Sequence, residues 1–221
     1  MSGTHVCPFA DPDNALAADL DTVGGKGLSL ARMTAAGFPV PAGFTVTTAA
    51  YRQFVSDNDL QQAIIAGAKP ELVGTAVSFD SASQQIQALF AKSELSAALQ
   101  AQIAAAYAAL GDGDAPVAVR SSANAEDLPD LSFAGQQDTY LNIRGRDAVF
   151  AAVRDCWASL WTARALSYRH EHAIAQEAVA MAVVVQKMVP SEVSGILFTA
   201  NPATGERSEM IVNASFGLGE A

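Results

Sequence analysis

Hydrophobic positions recur along this chain with helical spacing in some stretches and strand-like alternation in others, and the changes separate four regions. In the first, Ala15 to Phe54, the run Gly24-Gly25-Lys26-Gly27 precedes Leu28, Leu30, Ala31 and Met33, which fit a short helix. Gly37 is a natural stop for that helix, and Pro39 and Pro41 follow in an extended connection. Phe44 to Thr47 reads as a short strand. Thr47 or Thr48 then caps a helix carrying Tyr51, Phe54 and Val55. The second region, Asp57 to Gly113, is rich in Ala, Gln and Ser. Its Ile86, Leu89, Phe90, Leu95, Leu99, Ile103 and Tyr107 recur at helical spacing and predict a helical scaffold without chemistry.

In the third region Val117 to Val119 is a short buried strand running into Arg120-Ser121-Ser122, and Asp138 to Ile143 form another. Asp147 caps a helix whose apolar face is Val149, Phe150, Val153, Trp157, Leu160 and Trp161, continuing toward Tyr168. The fourth region predicts strands at Met181–Val189, Gly195–Thr199 and Glu209–Ala214. Short turns join them, as in an antiparallel meander. Helices and strands mix without a regular βα alternation, which predicts an α+β fold. The last residues, Gly217 to Ala221, read as a glycine-rich turn with no closing element after it.

Composition narrows the function. Half of the 221 residues are hydrophobic and 16% are charged, which excludes a disordered chain. The formal net charge of -10 leaves no basic stripe for nucleic acid, so any phosphate site must be a local set of a few cations and backbone amides. Cys7 and Cys156 form no CxxC pair and read as inert thiols in a reducing cytosol. The first residues have no signal-peptide pattern, and the most apolar run, Ala178 to Val185, is far short of the roughly 20 residues that span a bilayer. A soluble, cytoplasmic protein is expected.

Candidate chemistry lies at a few points. Glycines around Lys26 let backbone amides approach an anion, and the lysine adds a point charge. This is not the Walker phosphate-loop pattern, and a flexible turn with a solvated lysine fits the same residues. Arg120, directly after an apolar strand, offers a planar fork suited to a triphosphate; an ion pair with Glu126 or Asp127 explains it equally well. Gly135 and Thr139 flank a turn into a strand, where a plain hairpin is the alternative. Gln186 interrupts the apolar run Val183 to Val185 and either reads an adenine edge or faces outward from a half-exposed strand. His170 and His172, two apart, do not share a helical face and predict no metal site.

These separate points fall into an order that is specific. The segments VGGKG, VPAGFTVTTAAY, VAVRSSANAEDLPDLSFAGQQDTYLNI, CWASLWTARALSYR, VVVQKMV, SGILFTANP and ASFGLGEA together resemble the N-terminal ATP-binding domain of the pyruvate phosphate dikinase and phosphoenolpyruvate synthase superfamily. Within that superfamily the segments CWASLWTARA, SGILFTANP and ASFGLGEA look most like rifampin phosphotransferases. The resemblance covers nearly the whole chain outside 57–113. It implies an ATP-grasp-like nucleotide-binding domain, with a first lobe at 1–179 and an incomplete second lobe at 180–221.

Family likeness further implies that phosphate passes from ATP through a phosphohistidine on a separate swivelling domain to an acceptor in a third, giving AMP and phosphate. A rifampin-type antibiotic is the expected acceptor; pyruvate, as in a phosphoenolpyruvate synthase, or a stand-alone nucleotide-binding module without turnover are the alternatives. By motif position Lys26 and Arg120 hold phosphates and stabilise charge, Gly135 and Thr139 line the phosphate-covering turn, and Gln186 meets the adenine. Magnesium is implied with its ligands beyond residue 221, and this chain alone is expected to be inactive.

Overall fold

The computed structural model describes residues 4–10, 19–111, 113–123 and 139–219. In chain order its elements are β1 (Val6–Pro8), α1 (Leu20–Ala35), β2 (Gly43–Val46), α2 (Thr48–Asp57), α3 (Leu60–Gly67), β3 (Glu71–Val73), β4 (Ala76–Ser78), α4 (Asp80–Lys92), α5 (Ala97–Ala108), β5 (Val117–Ala123), β6 (Thr139–Ile143), α6 (Arg146–Ser159), α7 (Ala163–Glu171), β7 (Met181–Lys187), β8 (Val193–Phe198) and β9 (Ile211–Phe216). The chain divides into two compact units, Met1–Met188 and Val189–Ala221.

The first unit is built on a five-stranded sheet of order β1-β2-β7-β5-β6, antiparallel at every pairing. Helices and an antiparallel sheet together make the fold α+β, as the irregular mixture of periods predicts. Successive side chains of a strand point to opposite faces, so each strand here serves two layers. Val119, Val183, Val185, Phe44 and Val46 face the main core, which is filled by Trp157, Phe54, Phe90 and Tyr51 from the helices. Trp157 stands at its centre. Its ring centroid lies 5.1 Å from Phe54 and 5.9 Å from Tyr51, and its indole N–H donates to the Met181 carbonyl at 3.1 Å. The opposite face carries α1, with Cys7, Val23 and Leu28 as a small second cluster.

Local signals account for the ends of the first helices. At the end of α1 the Phe38 N–H donates to Met33 and the Gly37 N–H to Thr34, with Gly37 at φ 80°, a Schellman stop that only glycine enters without strain. Thr47 caps α2 by accepting from the Ala50 N–H. Arg169 is buried at 1% exposure, 4.9 Å over the Trp161 ring, and its Nε donates to Gln176 Oε1 at 2.7 Å. Burial lowers its pKa to about 10, partly offset by Tyr51, so it stays charged at neutral pH.

The structure departs from the sequence expectation in four places. The helix expected to run from Asp147 toward Tyr168 is two helices, because the chain turns at Leu160–Trp161 and Thr162 caps α7 by accepting from the Ala165 N–H at 3.3 Å. Asp147 lies in the first turn of α6, whose cap position is Gly145. The helical scaffold at 57–113 contains a hairpin, β3–β4, turning at Gly74 with φ 66°. Three-residue strands are too short to show a period. The expected three-stranded meander is absent: β8 pairs with β9, whereas β7 pairs with β2 and β5. The strand assigned by sequence to the start of a second lobe at 180 therefore lies inside the first unit's sheet. Its unbroken burial from Met181 to Val185 is what a strand covered on both faces requires.

Replacing Trp157 with alanine is expected to cost about 3–5 kcal/mol of unfolding free energy, measured by denaturant titration of the intact protein. Leu72→Ala, at a position 76% exposed in the β3–β4 hairpin, is expected to change it by less than about 0.5 kcal/mol.

Candidate functional site

Strand register brings the candidate residues into rows. Arg120 in β5 stands opposite Thr139 in β6 on one side and Val184 in β7 on the other. Val184 stands opposite Thr45 in β2, and Thr45 opposite Cys7 in β1. Cross-strand partners project from the same face, so these five form one line across the sheet beneath α1. One step along that face, Ser122 pairs with Ala182; one step the other way, Gln186 pairs with Ala118 and Gly43.

Helix α1 reaches this face through a break. Gly24 lies inside it with φ 71° and ψ 174°, which interrupts the helical path. The interruption leaves the Val23 carbonyl and the Gly27 N–H apart, a pair that would bond directly in a regular helix. The Ser122 hydroxyl fills the gap. It donates to the Val23 carbonyl at 2.8 Å and accepts from the Gly27 N–H at 3.1 Å. A hydroxyl can do both at once, so one side chain satisfies two buried backbone groups. The approach is close enough that a Cβ on Gly24 would overlap the Ser122 carbonyl, and one on Gly27 would lie 2.9 Å from Thr45 Oγ1.

Lys26 sits between these two fixed glycines, and it lines a cleft of about 300 Å³ with Gly25, Ser29, Leu30, Met33, Arg120 and Val184. Both cations are half-buried. Two positive side chains together with the apolar Leu30, Met33 and Val184 suit a ligand with an anionic part and an apolar part.

The sequence candidates thus divide. Lys26 and Arg120, 94 positions apart by their numbers, line the same cleft. Thr139 is the cross-strand neighbour of Arg120. Gln186 lies on the same face, half-buried, with its amide nitrogen donating to the Pro41 carbonyl at 3.1 Å. Gly135 lies outside the described residues, as do Glu126 and Asp127, the alternative partners considered for Arg120. Among the described residues no group of three or more His, Cys, Asp or Glu converges to hold a metal ion. Among them, too, no helix is long and apolar enough to cross a membrane. In sequence Ser122 simply follows the strand, close to Arg120. Strand alternation would have put Ser122 on the face of Arg120, but its partners lie some 95 residues away, where no local pattern points.

Residues 20–221 match the family described as pyruvate phosphate dikinase, AMP/ATP-binding domain. The chain belongs to this family. The match includes every residue of the cleft, and the family's description is that of an AMP/ATP-binding domain. The chain is 46% identical over 213 residues to phosphoenolpyruvate synthase of Aeropyrum pernix, covering 91% of this chain and 25% of that protein. It is 45% identical over 207 residues to a probable phosphoenolpyruvate synthase of Methanothermobacter thermautotrophicus, covering 92% and 30%. Phosphoenolpyruvate synthase of Pyrococcus furiosus is 41% identical over 239 residues, covering 92% and 29%. The chain thus spans a quarter to three-tenths of the length of these relatives. Their names carry the phosphoenolpyruvate synthase alternative of the sequence reading and give no support to a rifampin-type acceptor.

Gly24→Ala is expected to destabilise the protein by at least about 2 kcal/mol, because it combines a left-handed backbone with a clash against a strand carbonyl. Thermal unfolding compared with Gly37→Ala, a left-handed position with no atom within 4 Å of an added Cβ, separates the two contributions.

Proposed function

We propose that this chain is the ATP-binding part of a phosphoenolpyruvate synthase-type phosphotransferase, which moves phosphate from ATP through a phosphohistidine on another domain to pyruvate, releasing AMP and phosphate. The observation that carries the reading is the convergence of Lys26 and Arg120 on one cleft in a chain of the AMP/ATP-binding family. The relatives' names, phosphoenolpyruvate synthase, support pyruvate as the acceptor. An ATP-grasp-like architecture and a cytoplasmic location belong to the same proposal.

In this reading Lys26 and Arg120 hold phosphate oxygens. The lysine acts as a point charge on the first turn after the Gly24 break, and the arginine as a planar fork fixed at its base by strand pairing. Both offset the negative charge that the phosphoryl group carries during transfer. Thr139, beside Arg120, and Gly135 contribute to the turn over the phosphates, and Gln186 reads the adenine with the part of its amide not donated to Pro41. Magnesium is the proposed accompanying cation. Among the described residues no cluster of His, Cys, Asp or Glu converges to hold it.

The test is a product analysis of the intact protein with ATP and either pyruvate or rifampin. AMP and phosphate formed with pyruvate are expected; ADP in place of AMP, or turnover only with rifampin, would overturn the reading. Arg120→Ala is expected to lower the turnover about a hundredfold or more.

A further inference from the structure

The Ser122 hydroxyl stands where a backbone hydrogen bond of α1 would otherwise be. It is fully buried at 0% exposure and touches the backbone on both sides of Lys26, at Val23 and Gly27. It also shares a strand and a face with Arg120, two residues away. One rigid strand therefore carries one cation of the cleft and, through a hydroxyl bridge, holds the backbone that presents the other.

We propose that Ser122 is a positioning residue for nucleotide phosphates: it keeps the Gly24 break open and so fixes the Lys26 backbone relative to Arg120. The inference rests on the nucleotide reading of this cleft. Without the hydroxyl, Val23 C=O and Gly27 N–H lose their partner in a buried setting. The relief open to them is a direct bond to each other, which closes the break. That closure rotates the first turn of α1 and moves the Lys26 backbone, while Arg120 stays anchored between β6 and β7. The loss therefore falls on phosphate recognition and spares the base-binding part of the site. Ser122 is not itself required to touch the ligand.

The experiment measures the affinities of the intact protein for ATP directly and for adenosine by competition, in wild type, Ser122→Ala, Lys26→Ala and the double variant. Ser122→Ala is expected to weaken ATP about tenfold and to leave adenosine unchanged, a lost hydrogen-bond pair being of that order. The double variant is expected to be much less than additive, because the two changes remove one arrangement. Equal ATP affinity in Ser122→Ala, parallel losses of ATP and adenosine, or full additivity with Lys26→Ala would each overturn the role while leaving the nucleotide reading intact. Absence of ATP binding by the wild-type protein would overturn both. Should the alanine variant fail to fold, Ser122→Cys keeps the side-chain volume with only a weak donor and acceptor; the same selective loss of ATP is expected of it, and unchanged ATP affinity overturns the role.

Discussion

The approach of α1 to strand β5 is the constraint on which the rest of the site depends. It is set by a steric requirement and a polar one that act at the same place. Gly24 must lack a side chain for the Ser122 carbonyl to pass, and its left-handed backbone opens the helix. The opened helix then exposes one donor and one acceptor, and the Ser122 hydroxyl meets both. Neither half is stable alone. A break without the hydroxyl leaves two buried backbone groups unmet, and a hydroxyl facing a regular helix finds its partners already bonded to each other.

The five-stranded sheet makes this local arrangement rigid. Its core-facing side carries valines and Phe44 against a cluster of aromatic rings that includes Trp157, Phe54 and Tyr51. Its other side carries the row from Thr139 to Cys7 under α1. Because β5 and β7 are interior strands, Arg120 and Val184 have hydrogen-bonded neighbours on both sides, and their backbone cannot shift without disturbing the whole sheet. A cation rooted this way keeps its place when a ligand arrives, which lowers the ordering cost of binding.

The chemistry of the cleft is compatible with membership of the AMP/ATP-binding family. It offers positive charge on fixed backbone together with apolar side chains, which suits the nucleotide proposed for it. The relatives are three to four times longer than the stretch they share with this chain. In the proposed function a histidine relay and an acceptor site are supplied by other domains.

By itself the sequence determined the α+β class, the capped and glycine-stopped first helices, the family, and the residue types able to bind phosphate. Each of these is written in short-range patterns or in motifs whose order is specific. Lys26 and Arg120 were legible as candidates for that reason. Tertiary structure alone decided that they share a cleft, that β7 belongs between β2 and β5 instead of beside β8, and that Ser122 completes a helix near the start of the chain. The physical reason is the same in each case. Strand pairing and the filling of a broken hydrogen bond are contacts between segments far apart in sequence, and their partners are chosen by register and close packing, which no local period records.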